Sequence, residues 1–247
     1  MLKKILFLAV FAITFVSCQF SETMVLNEDG SGRMSLAIDM SEMMAMMPTT
    51  DSTRVKTDTI MSFKSLFEEK KDSIAQLPEQ EQKRLKLLEN YQMRMVMDPE
   101  TSEMSFDIFT EFKSVAEANN LMEGLNASDG LDVSPMGNKA NPKEEKKAMP
   151  QPTGVRFSFE KNVFKRDAYI KDEKAFQNML DSVQAVELFM DETMYSVKYT
   201  FPKKIKSISI ENAEISADGK TVTFQKPFVA YMKNPDELDV EIILEEN

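Results

Sequence analysis

The sequence predicts an α+β fold: a mainly antiparallel β-sheet built from hairpins, with helices packed on one face. Three observations lead there. Asp-Gly turns sit between apolar-rich segments near both ends of the 247-residue chain, in NEDGSG (27–32) and ADGK (217–220). Glycine accepts the positive φ that such turns demand. Apolar side chains recur at period two in Tyr91, Met93, Met95 and Met97, and again in Tyr195, Val197, Tyr199 and Phe201. Between these stretches the spacing becomes helical, with capping residues at the starts.

The elements follow in order. Thr23–Asn27 and Met34–Ile38 form the first hairpin. Asp39 caps a short helix, Glu42 returns the capping-box bond, and Pro48 ends it. Residues 49–59 are polar and read as a loop. From Ser62 a helix follows, with Phe63, Leu66, Phe67, Ile74 and Leu77 on one face, and Pro78 opens a second helix over Glu79–Glu89. A second hairpin returns through Asp98-Pro99-Glu100-Thr101, so that Met104, Phe106, Ile108 and Phe112 face the methionine stripe. SVAE at 114–117 is a capping box for a helix burying Val115, Ala118, Leu121, Met122 and Leu125. Residues 126–153 carry prolines, lysines and glutamates with few large apolar groups, too little burial to offset ordering entropy. Val155–Phe159 and Phe164–Ile170 pair as strands; Asp172 caps a helix that turns Phe176, Met179, Leu180 and Val183 inward. The tail adds Ile208, Ile210 and Ile215, then Val222 and Phe224 beyond the ADGK turn, and Leu238–Leu244.

The N-terminus has a different character. Lys3 and Lys4 precede 12 residues, Ile5 to Val16, in which only Thr14 is polar. A spanning helix needs about 20 apolar residues, so this run is too short to cross a bilayer. A charged start and a run of this length read as a secretory leader. It ends Phe15-Val16-Ser17-Cys18, and Cys18 is the only cysteine of the chain. This resembles the lipobox of bacterial lipoproteins, with phenylalanine at 15 where the family most often has leucine. The resemblance implies that the Cys18 thiol takes a diacylglyceryl group, that the leader is cut before it, and that the new amine is acylated, palmitate being a usual chain. It also implies the outer membrane, because Gln19 is not the aspartate that favours inner-membrane retention. Ser21-Glu22 is too short an acidic run to mark the cell surface, which leaves the domain facing the periplasm. Residues 1–17 are then the removed leader, 18–22 a short lipidated tether, and 23–247 a single α+β domain with a flexible polar loop at about 126–153. Such a tether spans some 15 Å at most.

Composition narrows the function. The leader takes Lys3 and Lys4 with it and moves the net charge from −11 to −13. So acidic a domain is a poor match for nucleic acid and is repelled by anionic headgroups, so that lipid rather than charge holds it to the membrane. No histidine occurs and no thiol remains free after acylation, which excludes Ser–His and Cys–His catalysis and histidine or thiolate metal sites. None of the seven glycines builds a phosphate cradle. Met40, Met43, Met44, Met46 and Met47 have the spacing and softness for Cu(I). With 20 methionines spread along the chain, packing is the better reading. The two period-two stripes read as core, or as the lining of an apolar groove if nothing covers them. Lys203, Lys204 and Lys206 read as a solvated strand end, and the neighbours Asp191–Glu192 and Glu245–Glu246 point apart rather than forming an acid/base pair.

VLNEDGSGRMSLAI (25–38) and YTFPKKIKSISIENAEISADGKTVTF (199–224) are together similar to LppM-type bacterial envelope lipoproteins, which carry an early hairpin after the anchor and a late Phe-Pro strand before a DG(K/R)TV turn. The resemblance implies an envelope domain and brings no catalytic residue with it. The expectation is a non-catalytic, membrane-anchored envelope lipoprotein with no cofactor, no metal and no catalytic residue, Cys18 being its one modified position. It binds a protein partner or a lipid-like apolar ligand. The alternatives are a carboxylate-dependent hydrolase acting on an envelope glycan and a purely structural component of an envelope assembly.

Overall fold

The structure, a computed structural model, describes residues 19–46, 55–119 and 152–246. The signal-like leader, Cys18, and the polar loop apart from its last two residues lie outside them. The chain runs β1 (Gln19–Leu26), β2 (Gly32–Asp39), α1 (Ser41–Met46) and β3 (Thr57–Ser62). Helices α2 (Phe63–Glu69), α3 (Lys71–Ile74) and α4 (Glu79–Lys86) lead into the hairpin β4 (Gln92–Asp98) and β5 (Glu103–Phe112). A helix α5 opens over 115–119. Then come β6 (Thr153–Glu160), β7 (Val163–Ile170), α6 (Glu173–Met190), β8 (Met194–Thr200), β9 (Ile205–Ile208), β10 (Glu214–Ile215), β11 (Thr221–Pro227), α7 (Phe228–Lys233), a 3-10 turn (Pro235–Leu238) and β12 (Val240–Leu244).

The α+β, mainly antiparallel expectation holds, and the strands divide into two sheets. The larger has the order β10-β11-β8-β1-β2-β5-β4-β3, and the smaller β6-β7-β12-β9. Every pairing is antiparallel except β1 with β8, which joins the N-terminal hairpin to the C-terminal one. Both Asp-Gly turns form as their glycines require, with Gly30 at φ +81° and Gly219 at φ +74°. The methionine hairpin forms, with Met93 opposite Ile108, Met95 opposite Phe106 and its turn at 99–102, one residue later than read from the sequence.

Three differences from the sequence reading have local causes. First, β1 starts at Gln19 rather than Thr23, so residues 19–22 are paired strand and not tether. Phe20 and Glu22 continue the period-two inner face of Met24 and Leu26, and β2 and β8 bond this stretch from both sides. Second, part of the polar 49–59 segment forms β3, an edge strand whose Asp58 makes a two-pronged bond with Arg94 (2.9 and 2.8 Å). Third, α7 forms where no helical period was visible; its Phe228 stacks on Phe20 with centroids 4.0 Å apart.

The core lies between the sheets. Met24, Met34, Val197 and Val222 from the large sheet meet Phe164 and Ile242 from the small one, all at 0 % exposure. Phe164 meets Tyr199 and Phe201 edge-on, with centroids 5.0 and 5.4 Å apart. Phe63, Leu88 and Tyr91 join the same core from the α2–α4 segment. The edge strand β6 is blunted by a side chain: Phe157 N–H donates to Asn119 Oδ1 (2.6 Å) and Asn119 Nδ2 donates to the Phe157 carbonyl (3.2 Å). This occupies backbone groups that an exposed edge would offer to another chain. Asp172 caps α6 as the sequence indicated, accepting from Ala175 N–H at 2.9 Å. Asp172→Ala is expected to cost about 1 kcal/mol, read as a shift in the denaturant midpoint.

Candidate functional site

Among the described residues, a cluster of buried charge sits on the inner faces of the two sheets. In β1, Glu22 lies between Leu36 of β2 and Val197 of β8. In β7, Arg166 lies between Phe157 of β6 and Val240 of β12. Both side chains are sealed from solvent, at 1 % and 0 % exposure. The guanidinium Nε and Nη2 donate to the Glu22 carboxylate at 3.3–3.4 Å. Tyr195 Oη donates to Glu22 Oε2 at 3.0 Å, and Tyr199 Oη donates to Glu22 Oε1. Asp239 Oδ1 lies 3.8 Å from Arg166 Nη1, and the Tyr231 ring is 5.8 Å from the guanidinium carbon.

This arrangement answers the cost of burying charge, since a carboxylate or guanidinium in an apolar interior survives only if paired and hydrogen-bonded. Burial works against the charge on Arg166, but the Glu22 carboxylate and then the surrounding tyrosines hold its pKa well above the ordinary arginine value. Burial, and then Glu22, push the Tyr195 and Tyr199 hydroxyls well above the usual tyrosine range, so both stay protonated and donate. Burial also raises Tyr231 and, at the rim, Asp239, which accepts from Ala168 N–H at 2.8 Å. Both Glu22 oxygens are engaged and sealed from solvent, while Arg166 Nη1 is buried without a hydrogen-bond partner. The group locks one sheet against the other at a fixed register.

The sequence-predicted residues fall around this lock. Tyr195, Val197, Tyr199 and Phe201 are buried, with Tyr199 and Phe201 against Phe164 of the small sheet and Tyr195 against Tyr231 of α7, so this stripe is core. Two of its tyrosines carry the polar contacts to Glu22, a role the periodicity alone did not reveal. Met93 is buried, and Met95 and Met97 are half-buried. Of the Met40–Met47 cluster, Met40 is half-buried and Met44 buried; the side chains of Met43 and Met46, and all of Met47, lie outside the described residues. Lys203 donates to Asn162 Oδ1 at 3.1 Å, while Lys204 and Lys206 are exposed. Asp191–Glu192 and Glu245–Glu246 are exposed on the surface. Cys18 lies outside the described residues.

Among the described residues, three surface recesses stand out. One, of about 270 Å³, is apolar at its base (Phe67, Ile74, Leu85) between α2–α3 and α4. That is below the 300–1,000 Å³ usual for small-molecule sites. The others, about 550 Å³ beside Arg33 and Glu111 and about 450 Å³ beside Arg156 and Asp167, are lined largely by polar residues. Among the described residues, no three Asp or Glu side chains converge as for a metal ion, and no helix is long and apolar enough to cross a membrane.

No family model matches the sequence, and no curated protein does. Among solved structures, the chain is similar to the folded domain of the Mycobacterium tuberculosis LppM protein, determined by NMR. The two share 6 % identity at a TM-score of 0.42, with 93 % of this chain and 90 % of that chain covered.

Proposed function

We propose that the chain is a bacterial envelope lipoprotein, acylated on Cys18 and held at the outer membrane facing the periplasm, whose folded domain serves as a non-catalytic module for a protein partner. The observation that supports this most is where the leader ends. Ser17-Cys18 stands directly ahead of Gln19, the first residue of β1, so cleavage before Cys18 leaves all eight residues of β1 in place. Two or three acyl chains at that point give a lasting anchor, whereas one gives only reversible binding.

The packed interior supports a partner met at the surface over a lipid held between the sheets. The space between them is filled by Met24, Phe164, Tyr199 and their neighbours. The sealed state of Glu22 supports a non-catalytic reading, because the buried carboxylate meets no substrate. Metabolic labelling with a radioactive fatty acid tests the anchor. The wild-type protein takes up label and Cys18→Ser does not; equal labelling of the two would overturn the reading.

A further inference from the structure

We infer that the folded domain stands end-on on the bilayer, on the end of the large sheet where β1 begins, and that this end is a docking surface for zwitterionic headgroups. The inference rests on the acylation of Cys18 proposed above. One peptide bond, a Cα–Cα step of about 3.8 Å, joins Cys18 to Gln19. Gln19 is not loose chain, since it pairs with Asp39 of β2 and Met194 of β8. β1 is the fourth of eight strands, so the lipid attaches near the middle of the sheet end and not at an edge. The acyl chains enter the bilayer only if that whole end comes down to the headgroups.

Among the described residues, the elements beside Gln19 define the footprint. The β4–β5 turn projects beyond it, because Asp39 is opposite Ser105 while the turn lies at 99–102. Also at this end are α1, the turn 191–193 ahead of β8, and the start of β3 with Val55, which is 68 % exposed. Carboxylates crowd this rim in Asp39, Glu100, Glu103 and Asp191. Two nearby cations are paired: Lys56 with Asp98 at 2.6 Å, and Lys226, opposite Tyr195 at the same end of β11, with Glu237 at 3.4 Å. Such a rim is repelled by anionic lipid at low ionic strength and tolerates zwitterionic lipid. The β1–β2 turn, residues 27–31, is at the far end of the eight-residue β1, about 27 Å away.

The chain has no tryptophan, so a single introduced one is an unambiguous energy-transfer donor. Glu100→Trp reports from the proposed footprint and Glu28→Trp from the far turn. A second pair, Thr101→Trp and Ala217→Trp, repeats the comparison. Each mature chain is coupled through Cys18 to a maleimide phospholipid in phosphatidylcholine vesicles carrying dansyl headgroups. The coupling supplies the anchor chemically, so the orientation result stands apart from whether cells acylate Cys18. Transfer is expected to be roughly three-fold or more stronger from 100 and 101 than from 28 and 217, given the strand length between them. Equal transfer, as from a domain lying on its sheet face, or the reverse order would overturn the inference. In phosphatidylglycerol vesicles at low salt, transfer from 100 falls and recovers as salt is added; indifference to lipid charge would overturn the headgroup preference.

Discussion

Glu22→Ala lowers the unfolding free energy by about 3–5 kcal/mol, because it leaves Arg166 charged and unpaired in the interior. The same change strips Tyr195 and Tyr199 of the acceptor for their hydroxyls. Against a typical total stability of about 5–15 kcal/mol, that is a large share. A double-mutant cycle identifies the cause. Glu22→Leu and Arg166→Met are each costly alone, since each orphans a partner. Together they cost less than their sum by a coupling of about 0.5–3 kcal/mol. Urea unfolding of the four proteins measures this directly. Strict additivity would mean that the two side chains do not lock the sheets together.

Phe164→Ala is expected to cost about 3–5 kcal/mol for a different reason. Its ring is fully buried and meets Tyr199 and Phe201 of the opposing chain segment edge-on. Removing it opens a cavity between two sheets whose backbones are fixed by their own ladders, so the space cannot close. Phe164→Leu fills much of that volume and costs clearly less. A loss under about 1 kcal/mol for the alanine variant would mean that the sheets do not pack through this ring.

Much of the local structure was legible because its causes are local. The Asp-Gly turns announce their own φ, Asp172 caps the helix that follows it, and the methionine stripe marks β4 as a strand. What was hidden depends on residues far apart in sequence. The strand read from the sequence begins at Thr23, although the register places Glu22 inward between Phe20 and Met24. Arg166 likewise interrupts an inward face, between Phe164 and Ala168, and lies 144 residues away. Two opposite charges, each in the inward register of an otherwise apolar strand, are the signal that would have paired them. The division into two sheets and the parallel β1–β8 pairing have no local signature at all. Neither does β3, whose polar Thr57-Asp58-Thr59 is strand because β4 offers it an edge and Arg94 holds Asp58.

On the proposed acylation of Cys18, the lock follows closely on the anchor, as Glu22 is the fourth residue after Cys18. A lipid so placed would pull on β1, which is bonded on both sides and tied through Glu22 to the second sheet.

The most direct measurement is the intact mass of the protein extracted from bacterial membranes, with fragmentation of its N-terminal peptide. The predicted species lacks residues 1–17, begins at Cys18, and carries a diacylglyceryl group on sulfur. A chain starting elsewhere, with an unmodified thiol at Cys18, would contradict the account.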